Sequence, residues 1–190
     1  MADVSKLPTP IEELVKEWAQ ERNIIPSDEV LEELDEDTAL KILTTQSMKL
    51  SSELSEYYEA KYKGDKAAID DAIGDMLVVC NSLNIVFGLH FAQMLNIDTE
   101  KEWNKRITGM TNSVSLSIAI GYLQDYIIKR DADNIFKWLV IFEKTLAELE
   151  LYDSETGRYS YEKYLNIAYS EIKDRKGKTL PNGNFVKEVK

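Results

Sequence analysis

Three features of the sequence predict an all-α fold. Glycine (8) and proline (4) are scarce among the 190 residues and gather near ends and turns. Long uninterrupted stretches rich in Ala, Leu, Glu and Lys favour helix. Apolar residues recur at helical spacing behind recognisable helix starts. Nothing reads as a real sheet, which leaves helices packed on helices as the architecture.

The elements follow in order. Thr9-Pro10 with Glu12 marks a helix start, with Thr as N-cap, Pro in the first turn and Glu completing a capping box. Ile11, Leu14, Val15 and Trp18 then line one face. A turn at Ile25-Pro26-Ser27 precedes a short acidic helix around Asp28–Leu34. A long helix runs from about Asp37 to Tyr62 and is broken by Lys63-Gly64-Asp65, where Asp65 can cap a second long helix reaching about Gly88. A connecting segment carries a short helix after Asp98. Helices at about Ser113–Lys129 and Asn134–Leu151 follow. The turn Ser154-Glu155-Thr156-Gly157 leads to a last helix at about Ser160–Arg175. The tail GKTLPNGNFVKEVK holds the turn signal Asn182-Gly183 and is expected to form a small hairpin or loop.

Composition narrows the function. At 190 residues and 44% hydrophobic content the chain suits one domain, 1–190, with a sizeable core. The net charge of −11 argues against generic nucleic-acid binding, because phosphate backbones attract basic surfaces. No apolar run reaches the ~18 residues of a membrane span, and the start lacks an apolar signal region, so the expectation is no membrane partner and a cytoplasmic protein. The single cysteine, Cys80, precludes an internal disulfide and sits in the apolar run MLVVC as a small buried hydrophobe. The single histidine, His90, removes two-histidine metal motifs. Phe87 stands three residues before it, so a Glu-x-x-His di-iron bundle is excluded, and no P-loop or GxGxxG motif is present.

Sliding residues 49–84 by 69 positions aligns a second hairpin: Leu54 falls on Leu123, Glu56 on Asp125, Tyr57 on Tyr126 and Asp65 on Asn134. On this register Glu53, Asp71 and Asp75 fall on Tyr122, Val140 and Lys144. Any two amphipathic hairpins share such likeness, so common origin stays open. Either way the expected core is a four-helix bundle of two hairpins, about 37–88 and about 113–151, the second a degenerate repeat, with flanking N- and C-terminal helices and a basic C-terminal helix and tail, 160–190.

The chemistry lies in the first hairpin. Glu53 and Glu56 stand at i and i+3, and Asp71 and Asp75 at i and i+4, each pair on one helix face. A short turn makes the two helices antiparallel neighbours, so the acidic faces can meet. Solvated surface is the commonest fate of acidic residues, and Glu59 and Asp70 illustrate it. Asp75, however, directly precedes the apolar run MLVV, and Glu53 and Glu56 flank Leu54. Four clustered carboxylates repel unless a cation neutralises them, and oxygen-only ligands suit Mg²⁺ or Mn²⁺ rather than zinc. Gly74 leaves room for a close helix approach beside the site.

Glu53-x-x-Glu56, a linker, and an acidic pair ending in Gly74-Asp75 resemble the MazG-like, all-α nucleoside triphosphate pyrophosphohydrolases. Lys49-Leu50 before the first acids fits the pattern, and Ala168-to-Lys178 (AYSEIKDRKGK) resembles the ending of short phage-type members. The chain departs from the pattern at Ser52, where the family often has Glu, and at Ala72, where Glu is usual; Asp71 is the substitute one turn back. The resemblance implies hydrolysis of a (deoxy)nucleoside triphosphate to the monophosphate and pyrophosphate, for nucleotide-pool control. It implies Mg²⁺ (or Mn²⁺) held by Glu53, Glu56, Asp71 and Asp75, with Glu53 or Glu56 as general base, and a homodimer or homotetramer, in a host cytoplasm if phage-encoded.

Lys173, Arg175, Lys176 and Lys178 form the densest positive cluster. Such residues also complement the negative end of a helix dipole. As a functional cluster, Lys173, Arg175 and Lys178 clamp phosphates, with Lys49 contributing from the bundle. Trp18 or Tyr122 can stack on a base and Asn81 or Asn84 can hydrogen-bond to it, although core or surface is the commoner fate of such residues. Two alternatives stand beside the pyrophosphohydrolase: a dUTPase-like specificity, and a non-catalytic helical bundle that binds a nucleotide or protein partner.

Overall fold

A computed structural model describes residues 8–97, 114–180 and 185–187. The described chain is all-α, with only short antiparallel strand pairs beside its helices. Its helices are α1 (Pro10–Glu21), α2 (Asp28–Glu32), α3 (Glu36–Lys63), α4 (Lys66–Val86), α5 (Phe91–Asn96), α6 (Val114–Ile128), α7 (Ala132–Leu146) and α8 (Tyr161–Ile172). A π-helical segment, Ala147–Leu151, extends α7. The helix expected after Asp98 lies outside the described residues, while α5, absent from the sequence reading, begins behind His90.

The predicted N-terminal cap is present: the Thr9 amide and hydroxyl both donate to Glu12 Oε2, at 2.7 and 2.9 Å. Glu12 does more than cap, because its Oε1 accepts the Phe91 amide at 2.8 Å and so ties α1 to the start of α5. In the first hairpin Gly64 takes φ 68, and its amide and that of Asp65 close the end of α3 onto the Ala60 and Lys61 carbonyls. Asp65 then caps α4 by accepting the Ala68 amide.

The second hairpin repeats this turn with Arg130 (φ 55) in the place of Gly64 and Asp131 in the place of Asp65, capping α7 through the Asn134 amide. The two hairpins therefore correspond at a shift of 66 residues, which corrects the register of 69 read from the sequence. Burial follows the corrected register: Leu50 and Leu116, Tyr57 and Leu123, Ile73 and Leu139, Met76 and Phe142, and Cys80 and Leu146 are matched pairs of fully buried residues. Glu53, Glu56, Asp71 and Asp75 then fall on Ala119, Tyr122, Lys137 and Ile141, so the second hairpin keeps none of the acids. The register of 69 sets Asp65 on Asn134, which imitates a helix cap, whereas the true turn holds Arg130 where the first hairpin holds Gly64.

The hairpins join through α3 and α6, and α8 packs along α4 and α1. Gly74 makes that last packing possible, as expected of it. A Cβ there would stand 2.8 Å from the Tyr164 carbonyl oxygen and 3.0 Å from the Ala168 Cβ. The π segment is anchored by Glu150, which accepts the Tyr57 hydroxyl and pairs with Lys61 at 2.8 Å. A short antiparallel pair, β1 (Tyr152–Asp153) and β2 (Arg158–Tyr159), precedes α8 in the chain, and after α8 the chain forms β3 (Gly177–Thr179), paired antiparallel with β4 (Phe185–Lys187). The tail is thus a strand pair; Asn182-Gly183 lies outside the described residues. No described helix is long and apolar enough to cross a membrane.

Candidate functional site

A cleft of about 380 Å³ opens where α1, α3, α4 and the C-terminal strands meet. Helix α3 contributes Thr45, Gln46, Lys49, Glu53 and Glu56, and α4 contributes Asp75, Val78, Val79 and Ser82. Trp18 from α1, Ile24 just after that helix, and Arg175 and Phe185 from the C-terminal segment complete the wall. One part of the cleft is therefore carboxylate and cation, and another is aromatic and aliphatic.

Glu53 is only 1% exposed, and Lys49, one turn earlier, pairs with it. Neither Glu53 oxygen has a hydrogen-bond donor of normal geometry, and Asp71 Oδ1 is likewise buried without one. Buried carboxylate oxygens without donors carry a large desolvation penalty, so this arrangement suits a ligand that supplies positive charge. Burial pushes the Asp75 carboxyl up to about 7; the charges of Glu53 and Asp71 push in the same direction, while Arg175 and Lys49 oppose them. These five side chains thus share one electrostatic neighbourhood. Glu56 stands exposed at the rim.

The set is not a preformed metal cage. Among the described residues, no three His, Cys, Asp or Glu side chains converge as metal ligands do. The donor chemistry nevertheless fits a hard divalent cation: several carboxylates, no competing His or Cys, and buried oxygens of Glu53 and Asp71 without a normal hydrogen bond. Glu53 and Asp75 would hold it first, with Glu56 and Asp71 beside them.

Of the substrate residues named from sequence, Lys49 and Arg175 line the cleft. Lys173 and Lys178 are exposed and do not line it. Asn84 is removed from it altogether: it is fully buried against Glu143 on α7. Asn81 is occupied in donating to the Glu12 carbonyl oxygen at 3.1 Å. Of the two stacking candidates, Trp18 lines the cleft, whereas Tyr122 stacks on Trp138 with centroids 4.3 Å apart. Cys80 is buried as expected, and burial raises its thiol well above the ordinary range.

The sequence reading missed Gln46 and Ser82, although a signal existed. Gln46 lies seven residues before Glu53 and Ser82 seven after Asp75, two helical turns along the same faces. Phe185 had no such signal, because only the strand pairing of the tail brings it back to Trp18, with ring centroids 6.1 Å apart.

Comparison with protein-family models, with curated proteins and with solved structures finds no match for this chain.

Proposed function

We propose that the chain hydrolyses a (deoxy)nucleoside triphosphate to the nucleoside monophosphate and pyrophosphate, with Mg²⁺ (or Mn²⁺) as cofactor, as its resemblance to the MazG-like pyrophosphohydrolases implies. The observation that carries this reading is a single cleft that joins buried, donor-poor carboxylates to two cations and to an aromatic wall. That is the division of chemistry a nucleotide needs. A bound divalent cation would supply charge neutralisation for the triphosphate and acidify water.

The chain's own residues do the rest. Lys49 and Arg175 bind phosphate oxygens. Trp18 and Phe185 flank the base, and Gln46 and Ser82 offer it hydrogen bonds. Water attacks the α-phosphorus, its proton passes to Glu53 or Glu56, and the bond to the bridging oxygen breaks with pyrophosphate as the leaving group. Lys49 now neutralises Glu53, so substrate phosphates draw that ammonium away and expose the carboxylate.

Pyrophosphate release from a panel of dNTPs and NTPs, dUTP included, with Mg²⁺ tests the proposal. Selective turnover of one or a few nucleotides supports it; no release from any of them refutes it. A second reading, a non-catalytic nucleotide-binding bundle, is favoured by the Lys49–Glu53 pair and the unconverged carboxylates. It predicts nucleotide-induced thermal stabilisation without pyrophosphate. We further propose a cytoplasmic location and a homodimer or homotetramer, the assembly being supported by exposed apolar side chains such as Tyr62 (92%) and Ile128 (82%) beside the two hairpin turns.

A further inference from the structure

Arg22 ends α1 outside the cleft, yet its side chain is only 17% exposed. Its Nη2 donates to two main-chain carbonyl oxygens, those of Lys173 and Arg175, each at 3.1 Å. Its Nη1 reaches the Trp18 carbonyl oxygen at 3.4 Å. The guanidinium lies over the Trp18 ring, 4.9 Å from its centroid, and 6.0 Å from that of Phe185. The Arg22 carbonyl oxygen in turn accepts the Thr179 hydroxyl of β3. One residue therefore fastens α1, the end of α8 and both C-terminal strands, and it does so on the main chain of Arg175 itself.

We infer that Arg22 is a positioning residue for triphosphate binding: it fixes the main chain of Arg175 and the ring of Phe185 so that both face the cleft. The inference rests on the pyrophosphohydrolase reading. Without Arg22, the segment from Lys173 onward keeps the Trp18 Nε1 bond to the Ile172 carbonyl oxygen at 2.9 Å, but loses the fork that sets the next three residues. A lysine cannot replace it, because a single ammonium lacks the planar fork that reaches two carbonyls and lies flat on a ring. Arg175 would then relax toward Glu171, with which it already pairs at 3.6 Å.

The test is a double-mutant cycle between Arg22 and Arg175, read as kcat and KM for the best nucleotide of the panel. Arg22→Ala and Arg22→Lys are each expected to lower kcat/KM about 10- to 100-fold, mainly through KM. In an Arg175→Ala background they should cost less than about threefold more, because the residue they position is gone. In nucleotide-free protein, trypsin should cut after Arg175, Lys176 and Lys178 faster in both Arg22 variants, with the helical signal by circular dichroism unchanged. Multiplicative losses in the double variant, or wild-type kinetics in Arg22→Lys, would overturn the inference while leaving the activity standing. If Arg22→Ala does not fold, Arg22→Lys completes the cycle. A wild-type protein that releases no pyrophosphate from any nucleotide defeats the activity reading, and this inference with it.

Discussion

Glu53 and Glu143 are both fully buried carboxylates without a hydrogen-bond donor of normal geometry, but their surroundings separate them. Glu53 faces Lys49 and the other charges of an open cleft. Glu143 faces Asn84 in the core, and burial raises its carboxyl well above the ordinary range. The folded state therefore holds the Glu143 proton to higher pH than the unfolded chain does. Its contribution to stability is complete below about pH 4.5 and is lost as the pH rises toward the raised folded value. Glu143→Gln should flatten that decline, seen as a smaller loss of melting temperature between pH 5 and about pH 8; an unchanged slope would place the proton elsewhere. Glu53→Gln should separate stability from function. It removes a desolvated charge that repels Asp75 and forfeits only a pair with a half-exposed lysine, so the melting temperature rises by a few degrees. Pyrophosphate release falls about 100-fold or more. Glu56→Gln, at the exposed rim, should abolish turnover with the circular dichroism spectrum intact.

At the level of elements, glycine contacts give the sharpest expectations. Gly74→Ala forces α8 off α4, because the new methyl meets the Tyr164 main chain rather than a flexible side chain. Overpacking of this kind costs about 1–3 kcal/mol, measurable by urea denaturation. Helix starts were legible at Thr9 and Asp65, where the capping side chain stands beside a proline or a glycine. The turn at Arg130-Asp131 was not, since a non-glycine residue adopts the left-handed conformation there and leaves no mark in composition. The acid spacings on α3 and α4 marked Glu53 and Asp75 correctly as neighbours, because helix geometry and a short turn suffice to bring them together. Arg22 and Phe185 escaped detection because their partners, the Arg175 main chain and the Trp18 ring, lie more than 150 residues away along the chain, which no periodicity encodes.

In the whole molecule, two hairpins in one register divide the labour unequally. The first carries every cleft acid, and the second fills the corresponding positions with Ala119, Tyr122, Lys137 and Ile141 and completes the core. The proposed dimer or tetramer predicts a molar mass by light scattering of about two or four times 21.8 kDa; a single 21.8 kDa species would exclude it. The central claim, that the acidic and aromatic cleft is a triphosphate-hydrolysing site, is tested most directly by pyrophosphate release from the nucleotide panel with Mg²⁺, wild type against Glu53→Gln. The account predicts release by the wild type that is lost in the variant. Equal release by both, or none by the wild type, would contradict it.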